Sequence, residues 1–140
     1  MVYVDTSVLV PLCVKEPKTA AVVSWYEDCN DELASAAWCV TEFASALGIK
    51  QRTGQISEEQ GASAWQAFER LCAGDLQLLS LETATFHRAA VLTLDATTGL
   101  RAGDALHLAC ALEARAKSMA TLDDVLARNA KRLRIKPLAF

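Results

Sequence analysis

The chain has only two histidines, His87 and His107. Its five cysteines, Cys13, Cys29, Cys39, Cys72 and Cys110, are odd in number and scattered, and none forms a Cys-x-x-Cys pair. That argues against a disulfide framework or a zinc site. It reads the cysteines as small buried apolar residues in a reducing compartment. No apolar run approaches the ~20 residues that a membrane span needs. The start carries Asp5 and lacks a basic n-region, so it does not read as a signal peptide. The expectation is a cytoplasmic protein with no membrane attachment. There is no G-x-x-x-x-G-K-[ST] loop and no G-x-G-x-x-G, which disfavours nucleotide binding of those kinds. Repeats, linkers and low-complexity stretches are absent as well.

What is present is globular. Of the 140 residues, 52% are hydrophobic and 22% charged, which fits one domain spanning residues 1–140 and sets the chain apart from disordered sequence. Net charge is −3, unevenly spread: residues 1–99 sum to −7 and residues 100–140 to +4. A basic C-terminal third could meet a polyanion, although solvated helix faces explain the same count.

Val2-Tyr3-Val4 is a β-favouring run that leads into Asp5, Thr6 and Ser7. It predicts a strand over 2–5, buried on both faces, with Asp5 at its carboxyl end and Ser7 capping a helix to about Glu16. Pro11 is expected near the first turn of that helix, where proline is tolerated. A second helix follows over 17–29. Leu33-Ala34-Ser35 reads as the next strand, with Ser35 capping a helix over about 36–53 that Gly54 ends. Ser57-Glu58-Glu59-Gln60 matches a capping box and opens a helix to about Ala73. Its Trp65, Phe68, Leu71 and Cys72 fall at core spacing. A strand over 76–81, a helix from Thr83 to about Thr97, a helix over 103–117, a strand over 118–121, a helix from Asp123 and a last strand over 134–138 complete the chain. Strands alternating with helices predict a three-layer α/β/α sandwich around a central parallel sheet.

Four acids share one context. Asp5, Glu42, Asp104 and Asp123 each lie early in a helix, beside a strand end or a glycine-containing turn. Each alone could simply serve its own helix, since a helix N-terminus favours negative charge by ~0.3–1 kcal/mol. The set is the stronger signal, because a parallel sheet gathers its strand ends at one edge, where ligand crevices form. Four carboxylates packed together repel unless a cation sits among them. Hard oxygen donors without a histidine or cysteine cluster suit Mg²⁺, with Mn²⁺ as a substitute. Such ions commonly bridge to phosphates and activate water for attack on phosphorus. Asp75, Asp95 and Asp124 fall in turn or helix-end contexts and are set aside. His107, three residues after Asp104, reads as a hydrogen-bonded core or rim residue, and His87 as surface.

The motifs Val4-Asp5-Thr6-Ser7-Val8-Leu9, Thr41-Glu42, Gly103-Asp104-Ala105-Leu106-His107-Leu108-Ala109 and Thr121-Leu122-Asp123 occur in that order. Together the sequence resembles PIN domains, and more narrowly the VapC-type ribonuclease toxins of toxin–antitoxin modules. The resemblance covers essentially the whole chain. It implies a metal-dependent endoribonuclease with Asp5, Glu42, Asp104 and Asp123 as its catalytic and metal-binding acids. It places Thr6, Ser7 and Thr121 as supports of the acidic pocket. It further implies products with a 5′-phosphate and a 3′-hydroxyl, a homodimer, and a small VapB-like antitoxin whose tail enters the site.

Two other readings use the same residues. One is a catalytically silent RNA- or protein-binding module on this fold, disfavoured because all four acids are present. The other, ranked last, is a receiver-like phosphotransfer domain with Asp5 as acceptor. The net acidity leaves RNA contacts to the basic residues. Arg101, three before Asp104, is the foremost candidate for a substrate-binding rim contact, followed by Lys50, Arg52, Arg115 and the cluster from Arg128 to Lys136. Trp25, Trp38 and Trp65 are many for so short a chain and predict an exposed apolar surface, such as a homodimer would cover.

Overall fold

A computed structural model describes residues 1–140. The elements in order are β1 (Val2–Val4), α1 (Thr6–Cys13), α2 (Thr19–Asp28), β2 (Leu33–Ala36), α3 (Trp38–Arg52), α4 (Glu58–Ala73) and β3 (Leu76–Leu79). There follow α5 (Thr83–Leu94), a 3₁₀ turn at Ala96–Thr98, α6 (Ala102–Glu113), β4 (Ser118–Ala120), α7 (Asp124–Arg132) and β5 (Lys136–Pro137). All pairings in the five-stranded sheet are parallel, in the order β3-β2-β1-β4-β5. The expected three-layer architecture is therefore what the chain adopts. No helix is long and apolar enough to cross a membrane.

Alternation along β1 divides the core. Val2 and Val4 join the cluster formed with α1, α2, α3 and α4, while Tyr3 joins the cluster formed with α6 and α7. Successive strand side chains point to opposite faces, so one three-residue strand contributes to both layers. Phe43 stacks on Phe68, with ring centroids 4.1 Å apart, and Trp65 packs beside both.

Several local expectations are corrected. The cap of α1 is Asp5, not Ser7: the strand ends at Val4, and Asp5 takes extended φ/ψ and accepts the Ser7 N–H. Pro11 lies in the second turn of α1, not the first, and the helix stops two residues later at Cys13. Ser35 does not cap α3. It is buried inside β2 with its hydroxyl unpartnered, and Ala37 precedes the helix without a side-chain cap. The capping box at Ser57 and Gln60 is present on both sides.

The tryptophans are not the exposed apolar surface. Each is half-buried; Trp25 meets the Phe140 ring edge-on, and Trp38 packs beneath α6. The exposed apolar side chains instead cluster on α5, where Phe86, Val91 and Leu94 are 49%, 66% and 81% exposed. Phe86, Ala90 and Leu94 fall at i, i+4 and i+8 and share one helix face, with Val91 three residues before Leu94 at its edge.

Candidate active site

The strand order reverses at β1: β2 and β3 lie on one side of it, β4 and β5 on the other. A crevice beyond the carboxyl ends of strands forms at such a switch point. Asp5 follows β1 directly, and Thr121 to Asp123 follow its neighbour β4. Glu42 arrives from the second turn of α3, after β2, and Asp104 from the first turn of α6.

Asp5 is 5% exposed. Its Oδ2 accepts the Ser7 hydroxyl at 2.5 Å and the Thr121 hydroxyl at 2.9 Å. Its Oδ1 lies 3.6 Å from His107 Nε2. Ser7 Oγ also accepts the Leu122 N–H at 2.9 Å, and Thr121 Oγ1 accepts the Asp123 N–H at 3.0 Å. These two hydroxyls thus tie the start of α1 to the loop after β4. Asp123 caps α7, with Oδ1 accepting the Leu126 N–H at 2.7 Å.

Glu42 is held in the same way through one oxygen. Its Oε2 accepts the Thr6 hydroxyl at 2.6 Å and bonds to His107 Nε2. Its Oε1 lies against Gly103, where a Cβ would come within 2.9 Å, and the same Cβ would meet Trp38 Nε1 at 3.3 Å. That indole N–H is buried without a hydrogen-bond partner.

The charges of the site act on one another. Burial pushes the Asp104 carboxyl above the usual carboxylate range, and the charges of Asp123 and Asp5 push it further. For Glu42, burial acts upward, but the His107 hydrogen bond and charge and the Thr6 hydroxyl outweigh it and hold the group low. For His107, burial acts downward, yet the Glu42 hydrogen bond and the Asp5 charge carry it above its ordinary value. The charges of Asp123, Asp5 and Glu42 thus all act on the Asp104 carboxyl.

His107 is the hydrogen-bonded core residue expected from the sequence. It is wholly buried and joins Asp5 and Glu42, their ligand-type atoms all lying within 4.8 Å of one another. Its Nδ1 lies 2.8 Å from the Tyr3 hydroxyl, which also accepts the Ala36 N–H at 2.9 Å. Burial pushes the Tyr3 hydroxyl well above its ordinary pKa, so it remains an O–H donor. The available signal was Tyr3 itself: a tyrosine in a strand buried on both faces needs a partner for its hydroxyl.

The basic candidates separate. Arg101 is exposed and sits one residue before α6, at the site's rim. Lys50 and Arg52 lie in the last turn of α3, and Lys50 pairs with Glu16. Arg115 follows the end of α6. Helices that begin at the site carry their last turns away from it at 1.5 Å per residue, so these three are remote. Asp75 accepts the Tyr26 hydroxyl, Asp95 caps the 3₁₀ turn, and Asp124 is exposed.

The family model of the PIN domain matches residues 2–132. Solved structures share the fold at low identity. VapC20 from Mycobacterium tuberculosis, described as a Sarcin-Ricin loop cleaving toxin, superposes with a TM-score of 0.75 at 12% identity, covering 92% of this chain and 95% of its own. FitAcB from Neisseria gonorrhoeae gives 0.73 at 18%, covering 99% and 97%. VapBC2 from Rickettsia felis, bound to a DNA fragment from the promoter, gives 0.64 at 15%, covering 99% and 98%. No curated protein sequence gives a significant match.

Proposed function

Because the chain belongs to the PIN-domain family, we propose that it is a metal-dependent endoribonuclease and the toxin of a VapBC-type pair. The observation that carries this reading is the meeting of Asp5 and Glu42 beyond the switch point, with the Asp104 carboxyl pushed up by burial and by the charges of Asp123 and Asp5. Hard carboxylate oxygens crowded in this way fit a divalent cation such as Mg²⁺ or Mn²⁺, which relieves their repulsion. Those four acids would hold it. When bound, such an ion polarises a phosphoryl oxygen and makes water more acidic.

The chain's own groups do the remaining work. Ser7 and Thr121 fix Asp5 through Oδ2 and leave Oδ1 without a hydrogen bond. Thr6 fixes Glu42 through Oε2. Preset oxygens need no reorientation when charge builds on the scissile phosphate. The test is cleavage of a single-stranded RNA by purified protein. Cutting in Mg²⁺ or Mn²⁺, its loss on chelation and its return on adding metal are the expected results. Cutting undiminished by EDTA would refute the reading.

An acidic protein must hold RNA through local cations, and Arg101 at the rim is the side chain best placed for it. Arg101→Ala, measured in an Asp104→Asn background with Mg²⁺, should weaken RNA binding evenly across sequences. It should also flatten the salt dependence by about one phosphate contact. An unchanged slope removes Arg101 from the RNA path.

The α5 face supports a homodimer. Phe86, Val91 and Leu94 form one exposed apolar strip, which a second copy would bury across a two-fold axis. At tens of micromolar the protein should sediment as a dimer and Leu94→Glu as a monomer; a monomeric wild type would count against the interface. A small antitoxin is the proposed partner. Its support is the fold shared with VapBC2 and FitAcB.

A further inference from the structure

In the neutral ring the hydrogen bonds around His107 have one consistent direction. The Ala36 N–H can only donate, so Tyr3 Oη accepts it at 2.9 Å. The Tyr3 O–H is then free to donate to His107 Nδ1, 2.8 Å away. The other ring nitrogen faces only acceptors: the Glu42 carboxylate, Asp5 Oδ1 at 3.6 Å and the Thr6 hydroxyl oxygen at 3.3 Å. A proton therefore sits on Nε2, and an N–H cannot ligate a metal. The chain of donors runs from the end of β2, through Tyr3 in β1 and His107 in α6, to Glu42 in α3.

We infer that Tyr3 and His107 are positioning residues for Glu42: the Tyr3 hydroxyl, itself fixed by the Ala36 N–H, holds the imidazole in place through Nδ1, and the Nε2–H, together with Thr6, pins Glu42 Oε2. The inference rests on the reading of Glu42 as a ligand of the cation. Without the Tyr3 hydroxyl, Nδ1 is left unpartnered in the core and the ring is no longer held against Glu42. Glu42 would then lose the fixed aim of one of its two donors. Partners that orient a ligand in this way are worth about 10–100-fold in metal affinity.

Calorimetric titration with Mn²⁺, without RNA, tests the positioning. Tyr3→Phe and His107→Leu should bind about 10–100-fold more weakly than wild type. His107→Gln, whose side-chain amide can donate in place of Nε2–H, should recover most of the loss. A purely structural role would lower thermal stability in all three without this order. The tautomer is read by ¹H–¹⁵N NMR of the ring nitrogens, which is tractable because His87 is the only other histidine and His87→Gln assigns it. Wild type should show a proton on Nε2.

Wild-type affinity in both Tyr3→Phe and His107→Leu would overturn the inference, as would an Nδ1–H tautomer in wild type, which would make His107 a ligand instead. If wild type binds Mn²⁺ and the variants weaken in the stated order but no RNA is cut, the nuclease reading fails and the positioning stands. A wild type that binds no Mn²⁺ overturns both.

Discussion

Asp104→Asn should reduce RNA cleavage to below about 1% of wild type while raising the melting temperature of the metal-free protein. The loss follows from removing a proposed ligand, since residues that only orient ligands already cost about 10–100-fold. The gain follows from the sign of the shift. Burial, then the charges of Asp123 and Asp5, place the Asp104 carboxyl above its ordinary value of 3.8. A carboxyl whose pKa is raised by folding destabilises the folded state wherever it is ionised, that is, above its folded-state pKa. The penalty fades as pH falls through that value towards the unfolded one. Asparagine keeps the shape and carries no charge, so its advantage should be present at neutral pH and vanish on acidification. Saturating Mg²⁺ should also shrink it, by relieving wild type. Thermal melts at pH 7 and at pH 3, with and without Mg²⁺, check all three points. A variant less stable than wild type at pH 7 without metal would show that the acids do not repel as described.

Gly103→Ala should separate stability from activity in another way. Gly103 is the second residue of α6, and alanine is the better helix former there by up to about 1 kcal/mol. Yet the new Cβ would lie 2.9 Å from Glu42 Oε1 and 3.3 Å from Trp38 Nε1. Glu42 Oε1 is the free end of a flexible side chain, so it yields readily, and the fold loses little when it moves. The site loses the placement of a ligand atom. The expected result is a melting temperature within about 3 °C of wild type, with cleavage and Mn²⁺ affinity each down about 10–100-fold. Full activity in Gly103→Ala would show that the Oε1 position does not matter.

What could be read before any coordinates were known was mostly local. The capping box at Ser57, the glycine after α4 and the hydroxyls after Asp5 are each set by a few neighbouring residues. The parallel sheet follows from alternation of strands and helices, and with it the placing of Asp5 and Asp123 after neighbouring strands. The cap of α1 was harder, because both Asp5 and Ser7 are good capping types. Only the end of β1 at Val4 decides between them. Ser35 has capping chemistry but one residue more of strand, which buries it. His107 was legible as a hydrogen-bonded core residue, but its partners come from β1 and α3, and helical spacing tells nothing about what faces a helix across a core. The tryptophans misled for the same reason. Composition counts large rings, but whether Trp25 finds Phe140 depends on how the chain's two ends meet.

The pairing of Val4 with Ala120 sets a schedule for the newborn chain. The central strand leaves the ribosome long before its second neighbour, β4. Until residues 118–123 emerge, β1 is an open edge, Asp5 lacks the Thr121 hydroxyl, and Asp123 has not been made. Long-range parallel pairing of this kind forms late, because loop closure must precede any contact that rewards it. A growing polypeptide that still lacks β4 and the residues after it therefore carries no assembled cleft.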